Sequence, residues 1–145
     1  MNDKFDCSYG QSLQLLFSGS ESVTVRGQLA VDCKPVEEYI DVLLKIAQLQ
    51  DLQKHISKNQ SNQEQYFEAY GGDYEATSIA TYTTSPRANH HAVLIISTRL
   101  RGYATDCKIT LFRERYNQET MFSTTLYRDK LQSFLDYLKN FLQGR

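Results

Sequence analysis

The chain contains segments in which apolar residues recur every second position, and such segments predict β-strands. Ser12 to Phe17 is a short β-prone run, and from Val23 to Val31 the apolar residues fall mainly on odd positions. Such alternation is typical of a strand that turns one face toward a core. Ser18 to Glu21, between the two runs, contains glycine and serine, which favour a turn. The pattern therefore predicts a hairpin.

Residues 35–56 predict a first amphipathic helix. Pro35 suits the first helical turn, where its missing N–H is not needed, and Glu37 and Glu38 favour the positive end of the helix dipole. Apolar residues at helical spacing form one stripe, which consists of Val36, Tyr39, Ile40, Leu43, Ile46 and Ala47 and continues through Leu49, Leu52 and Ile56.

Residues 129–142 predict a second amphipathic helix with a continuous apolar stripe. Asp129 followed by Gln132 resembles a capping box, and Gly144 lies where a helix end is expected. The stripe consists of Leu131, Phe134, Leu135, Leu138, Phe141 and Leu142.

The two predicted helices share a sequence echo, 95 residues apart. Pro35 to Leu43 aligns with Lys130 to Leu138, and a β-rich run precedes each copy. Most matched positions are apolar, and Asp41 with Asp136 is the sole identical polar pair. The echo therefore indicates two strand-then-helix units more than it indicates common ancestry.

The segment between the two helices predicts five further strands, separated by turns at Gly71 to Asp73, Pro86 to His91 and Asn117 to Glu119. Ala92 to Arg99 carries Val93, Leu94, Ile95 and Ile96 consecutively, which is typical of a central strand. Cys107 to Tyr116 alternates instead. The five predicted strands are Gln65–Tyr70, Tyr74–Thr84, Ala92–Arg99, Cys107–Tyr116 and Thr120–Tyr127.

The order of predicted elements is β-β-α-β-β-β-β-β-α, which indicates an α+β fold. We expect a largely antiparallel sheet of about seven strands with two amphipathic helices. Residues 1–145 are expected to form a single domain. Within it, units 1–58 and 64–145 are joined by the polar loop 59–63.

Composition and cysteine content predict a globular cytoplasmic protein. Hydrophobic residues make up 41% of the chain and charged residues 23%. Cys7, Cys33 and Cys107 lack metal-ligand spacing and fit packed free thiols in a reducing compartment. The longest apolar run, Ala92 to Ile96, is far shorter than the about 20 residues that span a bilayer. No signal peptide, membrane segment or cofactor is predicted.

Charge is divided unevenly along the chain. Residues 1–78 hold 6 Lys/Arg against 12 Asp/Glu, whereas residues 79–145 hold 10 against 5. The asymmetry indicates either a polar binding face in the second part or attraction between two halves of one domain.

No catalytic signature is present in the sequence. It contains no phosphate-cradling glycine motif, nucleophile elbow or zinc-protease motif. His90 and His91 are adjacent in a predicted loop, where neighbouring side chains point in opposing directions. A metal-dependent or other small-molecule enzyme that uses them is therefore the third of three hypotheses.

Cationic and aromatic residues interleave in the second half of the chain. Single-stranded nucleic acid is bound by this combination, with cations on phosphates and rings under unstacked bases. An ordinary solvated sheet face would have the same composition. Along the predicted strand, Lys108 and Phe112 share one face, and Arg113 and Arg115 share the other. The candidate partner face consists of Arg87, Arg99, Arg101, Tyr103, Lys108, Phe112, Arg113, Arg115 and Tyr116.

The order of strands followed by a helix, twice, resembles the Whirly-type single-stranded-DNA-binding fold. The hairpin Cys107 to Tyr127, which continues into the predicted final helix, carries most of the resemblance. The resemblance implies an antiparallel sheet that displays the binding face and helices that mediate oligomer formation. The Lys-Gly-Lys-Ala-Ala-Leu motif of plant Whirly proteins is absent, so no residue role is transferred.

Three functions therefore stay open at the level of sequence. The first is a non-enzymatic binding or assembly domain that acts mainly through protein–protein contacts, including self-association, because two apolar helices and many tyrosines suit an interface. The second is single-stranded DNA or RNA binding through the basic-aromatic face. The third is the enzyme hypothesis for His90 and His91.

Overall fold

The computed structural model describes residues 4–54, 56–58, 74–83, 90–101, 104–115 and 118–144. Side chains are described for residues 4–54, 56–58, 107–114, 118–127 and 129–144. The elements in chain order are β1 (Lys4–Asp6), a short 3-10 helix (Ser8–Gly10), β2 (Ser12–Phe17), β3 (Ser22–Val31), β4 (Lys34–Lys45), α1 (46–54 and 56–58), β5 (Tyr74–Thr83), β6 (His90–Arg101), β7 (Ala104–Arg115), β8 (Gln118–Tyr127) and α2 (Arg128–Gln143).

The described strands form two antiparallel sheets of four strands each, in the orders β1-β2-β3-β4 and β5-β6-β7-β8. The α+β class and the antiparallel pairing are confirmed, but the prediction of one sheet with about seven strands is wrong. The reason lies in the alternation along the strands. A strand with one apolar face needs a second layer to cover that face, and here the two sheets cover each other.

The predicted first helix is wrong over its first half, because Lys34–Lys45 is strand β4. A two-residue turn joins β3 to β4, and both of its residues, Asp32 and Cys33, have positive φ (52° and 64°). Two consecutive residues of this kind form the tight turn that continues the twist of a hairpin. The chain therefore returns along β3 and does not start a helix.

The apolar residues of this segment fit two periods at once, which explains the error. Ile40, Val42 and Leu44 are buried while Asp41 and Leu43 are exposed, a period of two. Together with neighbouring apolar residues they also form a stripe at helical spacing. Pairing with β3 selects the strand over the helix. Helix α1 begins at residue 46, where the Lys45 amide donates to Gln48 Oε1 at 2.8 Å.

Strand β4 tolerates a proline because of its place in the sheet. Pro35 lies opposite Ala30, next to a register shift between Gln28 and Ala30, and β4 is at the edge of its sheet. Proline is confined to such positions in sheets because it has no N–H to donate to a neighbouring strand.

Other local predictions are confirmed or moved by a few residues. The β2–β3 hairpin has the predicted bounds, with Phe17 opposite Val23. Strand β6 lies between β5 and β7, as expected of a central strand. It begins at His90, so His90 and His91 do not belong to the predicted loop, and β8 begins at Gln118, inside the predicted turn. The predicted strand 65–70, turn 71–73 and linker 59–63 lie outside the described residues.

The core lies between the inner faces of the two sheets and is closed by the helices. Gly27 of β3 meets Phe122 of β8, since a Cβ placed on Gly27 would lie 2.8 Å from Phe122 Cγ and 3.0 Å from Leu111 Cδ1. Glycine allows this close approach because it has no side chain. The aromatic ring therefore occupies the space that a side chain on β3 would fill.

Helix α2 confirms the predicted second helix and packs along the β1–β2 side of the first sheet. The Phe5 ring contacts Phe134 edge-on with centroids 5.2 Å apart, and Phe17 stacks on Phe141 at 4.3 Å. The Tyr137 hydroxyl accepts the Leu15 amide of β2 at 3.1 Å, beyond the residues of β2 that pair with β1. An element of the second unit thus completes the first sheet.

The ends of α2 match the sequence prediction in part. The predicted capping box does not form, because Gln132 Nε2 donates to Asp136 at 3.2 Å and the N-cap, Tyr127, makes no side-chain capping bond. At the other end the Gly144 amide donates to the carbonyls of Asn140 and Phe141, as expected of a helix end. Neither described helix has the length and apolarity to cross a bilayer.

The two units repeat at an offset of 82 residues, so the 95-residue echo does not align equivalent elements. The echo matches strand β4 with helix α2, whereas the 82-residue offset matches β4 with β8 and α1 with α2. At this offset six buried positions coincide: Ile40 with Phe122, Val42 with Thr124, Leu44 with Leu126, Leu49 with Leu131, Leu52 with Phe134, and Ile56 with Leu138.

Candidate binding face and adjoining pocket

The outer face of the second sheet points away from the core. We define this outer face by the side chains that β7 and β8 direct away from the first sheet, which are exposed or half-buried. They are Lys108, Thr110, Phe112 and Glu114 on β7, and Glu119, Met121, Ser123, Thr125 and Tyr127 on β8. Met121 and Tyr127 are 58% and 55% exposed, so the described part of this face is not covered by a helix.

The cross-strand register of β7 and β8 determines how the residue types are arranged along the outer face. Lys108 lies opposite Thr125, and Phe112 lies opposite Met121. Glu114 and Glu119 oppose each other near the β7–β8 turn. The face therefore has a cation and hydroxyls at one end, rings and a thioether along its length, and two carboxylates at the other end.

Lys108 and Phe112 share the outer face, as the alternation predicted. Lys108 is exposed and makes no ion pair with another residue whose side chain is described, and Phe112 is half-buried. Both side chains are available to a ligand.

Arg113 lies on the opposite side of β7 and contacts the first sheet. Its Nη1 donates to the Tyr39 carbonyl at 2.9 Å, and its Nη2 lies 3.6 Å from the Glu38 carboxylate and 3.5 Å from Thr120 Oγ1. A half-buried guanidinium with several acceptors is held in place. Arg113 therefore joins the two sheets at their edge and does not extend the outer face.

The remaining predicted face residues are placed by backbone alone or not described. Arg99 and Arg101 lie in β6, where Arg99 is opposite Asp106, and Arg115 ends β7 opposite His90 and Gln118. The predicted residues outside the described parts of the chain are Arg87, Tyr103 and Tyr116.

The first sheet also has an outer face, on which some polar groups bond one another. Arg26 of β3 forms two hydrogen bonds with the Asp41 carboxylate of β4, at 2.9 and 3.0 Å, and lies over the Tyr39 ring. The Asp41 carboxylate raises the pKa of Arg26. Nearby, Lys4 Nζ donates to Gln28 Oε1 at 2.9 Å. Arg26 and Lys4 on this face therefore have partners within the chain.

A pocket of about 280 Å³ adjoins the outer face where the β1–β2 loop meets β8. The loop is tightly bent, with positive φ at Tyr9 (61°) and Gly10 (79°). A Cβ on Gly10 would lie 2.4 Å from the Cys33 carbonyl oxygen, so glycine is needed there for space as well as for φ. The described residues that line the pocket are Ser8, Tyr9, Gln11, Ser123, Thr124, Thr125 and Tyr127.

Beneath the pocket, Thr124 and Cys7 form a buried polar contact between the two units. Thr124 is 4% exposed, and its hydroxyl has no hydrogen-bond partner of full geometry among the described residues. Burial raises the pKa of the Cys7 thiol to about 11, although the Thr124 hydroxyl and Lys130 act in the opposite direction. The thiol is therefore protonated at neutral pH and is a poor nucleophile.

Cys7, Cys33 and Cys107 are free thiols, and the structure places His90 and His91 by backbone alone. Cys107 is buried and Cys7 half-buried, as predicted, but Cys33 is exposed because it lies in the tight β3–β4 turn. His90 and His91 lie in the backbone of β6, opposite Arg115 and Glu114. Among the described residues no group of three potential metal ligands occurs.

The pocket could not be predicted from the sequence pattern alone. Its lining comes from two segments more than 100 residues apart, and hydroxyl and amide side chains occur in most loops. The one local signal is the run Ser123-Thr124-Thr125, which places three consecutive hydroxyls on a strand.

Comparison with known proteins gave no relatives. No model of a protein family matches the chain. No match was found among curated proteins or among solved structures.

Proposed function

We propose that this protein is a non-enzymatic binding domain and that the outer face of its second sheet binds single-stranded nucleic acid. The observation that carries the proposal is the composition of that face: the exposed Lys108 shares it with Phe112 and the exposed Tyr127. A cation can contact phosphates while rings stack on unstacked bases, which is how sequence-tolerant binding to single strands is achieved.

The burial of the helices also favours the outer sheet face as the binding surface. A protein–protein function was attractive because two apolar helices could furnish an interface, but their stripes are buried in the core at Leu49, Leu52, Leu131, Phe134 and Leu138. The order of four strands and a helix, repeated, supports the resemblance to the Whirly-type fold, in which an antiparallel sheet displays the binding face.

Fluorescence anisotropy with labelled single-stranded DNA and RNA tests this proposal. Binding should be measurable at about 50 mM salt and should weaken as salt rises, because contacts to phosphate release counterions. Lys108→Glu should weaken binding and lower the salt slope by about 0.7 for each lost phosphate contact. Phe112→Leu, which keeps an apolar side chain but removes the ring, should weaken binding about fivefold or more.

Lys139→Glu is the matched control, because Lys139 is equally charged and exposed but lies on α2. It should change affinity much less than Lys108→Glu. Absence of binding at about 50 mM salt, or equal weakening by the two charge reversals, would contradict the proposal.

Self-association is the second candidate function, favoured by the exposure of Met121 and Tyr127 on β8 at the edge of its sheet. An edge strand with exposed apolar side chains can pair with another chain. Light scattering over a concentration series tests it, and a constant monomer mass would exclude self-association over that range.

A further inference from the structure

The pocket between the β1–β2 loop and β8 is continuous with the outer face of the second sheet. Ser123, Thr125 and Tyr127 belong to both, and Lys108 is the cross-strand neighbour of Thr125. Directly opposed residues have Cβ atoms about 4.5–5.5 Å apart. Lys108 therefore lies on the strand next to the pocket lining and shares the outer face with Thr125.

The described lining of the pocket is uncharged, which limits the chemistry it can recognise. It combines hydroxyl groups, the Gln11 amide and the phenols of Tyr9 and Tyr127. These groups offer hydrogen-bond donors and acceptors together with aromatic surface. A phosphate or carboxylate would find no opposing charge among them, whereas a neutral planar ring with donors and acceptors on its edge would match them.

Size and stacking surface agree with one small ring system. A volume of about 280 Å³ is near the lower limit of small-molecule sites, which begin at about 300 Å³. Tyr9, 77% exposed, and Tyr127, 55% exposed, present ring surface at the pocket. Glutamine is a common partner for the edge of a nucleobase because one amide both donates and accepts.

The Thr124 side chain is a second indication of a ligand site. Buried hydroxyls nearly always have a hydrogen-bond partner, whereas this one has no partner of full geometry among the described residues and contacts the weakly bonding Cys7 thiol there. The residue lines the pocket while 4% exposed. A polar group that arrives with a ligand would compensate for this deficit after a small adjustment of the side chain.

We propose that this pocket binds one unstacked nucleobase of a strand whose backbone follows the outer face past Lys108. The inference rests on the proposed function, which it deepens by separating base recognition from phosphate contact. The base is held by Gln11 and the hydroxyls, with Tyr9 as the stacking ring, while Lys108 contacts the adjacent phosphate.

Titration of the full chain with free nucleosides, monitored by NMR, tests the pocket without any phosphate contact. Adenosine, guanosine, cytidine and uridine are the probes, and ribose is the control. We expect saturable binding of at least one nucleoside and no saturation by ribose. Gln11→Ala or Tyr9→Asn should each reduce the affinity for that nucleoside at least about fivefold. Asparagine keeps the positive φ at position 9 accessible.

Gln50→Ala is the matched control, because it removes the same amide from an exposed position on α1. The Gln11 backbone bonds to Cys7 and Ser8 do not involve its side chain, so Gln11→Ala leaves the loop hydrogen bonds in place. Absence of saturable nucleoside binding, or binding that neither Gln11→Ala nor Tyr9→Asn reduces, would overturn the pocket proposal.

An abasic oligonucleotide separates failure of the pocket from failure of the face. If the normal strand binds and the abasic strand binds equally well, the pocket proposal fails while the outer face survives. If no oligonucleotide binds but a nucleoside does and Gln11→Ala reduces that binding, the outer-face function fails and the pocket is supported. Weaker binding of the abasic strand, with the difference reduced by Gln11→Ala, supports both.

Discussion

The two units of this protein bury equivalent positions but use their outer faces differently. At an offset of 82 residues, the inner face of β4 matches that of β8, and the buried side of α1 matches that of α2. On the first sheet, Arg26 and Lys4 have partners in Asp41 and Gln28. On the second, Lys108 has no ion pair with another residue whose side chain is described. The repetition therefore concerns the buried positions, whereas the polar contacts on the two outer faces differ.

The cations of the second unit have different surroundings, which bears on the uneven distribution of charge along the chain. The sequence assigns six cations to residues 1–78 and ten to residues 79–145, which does not distinguish internal attraction from ligand binding. The structure divides them: Arg113 attaches the second sheet to Tyr39 and Glu38 of the first, whereas Lys108 faces outward. Arg113 therefore fits attraction between the two halves of the domain, and Lys108 fits a polar binding face in the second half.

The largest expected effect concerns the shared core. Phe122→Ala should destabilise the protein by about 3–5 kcal/mol, because it empties the space that Gly27 leaves between the sheets. Met121→Ala is the control on the adjacent residue of the same strand, 58% exposed, and should change stability by less than about 0.5 kcal/mol. Urea unfolding measures both. Similar losses would contradict the assignment of inner and outer faces.

A smaller effect should separate the two cations of β7. Arg113→Gln should cost about 1–2 kcal/mol of stability, since it weakens charge-assisted hydrogen bonds to Tyr39 and Thr120, and should leave oligonucleotide affinity unchanged. Lys108→Gln should show the reverse pattern. Urea unfolding together with anisotropy measures this crossover. If Arg113→Gln weakened binding more than Lys108→Gln did, the division between joining and binding residues would be wrong.

At neutral pH the smallest effect is expected at the contact between the units, because it emerges only as a pH dependence in alkaline solution. The folded protein holds the pKa of Cys7 at about 11, above its ordinary value of 9.0. The unfolded chain therefore loses this proton first, so stability falls as the pH rises from about 9 toward 11. Cys7→Ala should reduce that slope in urea unfolding at several pH values. Cys33→Ala, at an exposed position, should not reduce the slope, and an equal change in both variants would contradict the assignment of the raised pKa to the half-buried Cys7.

A helix or strand could be predicted from the sequence where the spacing of apolar residues fitted only one of the two structures. The second helix was predicted as 129–142 and is Arg128–Gln143, because its apolar stripe has no alternative interpretation as a strand. Residues 34–45 fitted both periods, and the hairpin with β3, formed through Asp32 and Cys33, decided for a strand. Local pattern could not supply that choice, since it depends on a neighbouring strand.

The candidate site was predictable only where it follows a single strand. Alternation along β7 placed Lys108 and Phe112 on one face, and the structure agrees. The role of Arg113 depends on the Tyr39 carbonyl, 74 positions away, and the pocket joins residues 8–11 to residues 123–127. Contacts of that sequence separation are set by how the sheets pack, which no short motif encodes.

The hydrogen bond from the Leu15 amide to the Tyr137 hydroxyl has a consequence for synthesis of the chain. Its two residues are separated by 122 positions, so a ribosome that adds about 5–20 residues per second needs about 6–24 s to deliver the second after the first. During that interval this edge of the first sheet lacks its cover, and Phe17 lacks Phe141. An uncovered strand edge invites pairing with other chains. The nascent protein should therefore be most vulnerable to aggregation just before its last helix emerges.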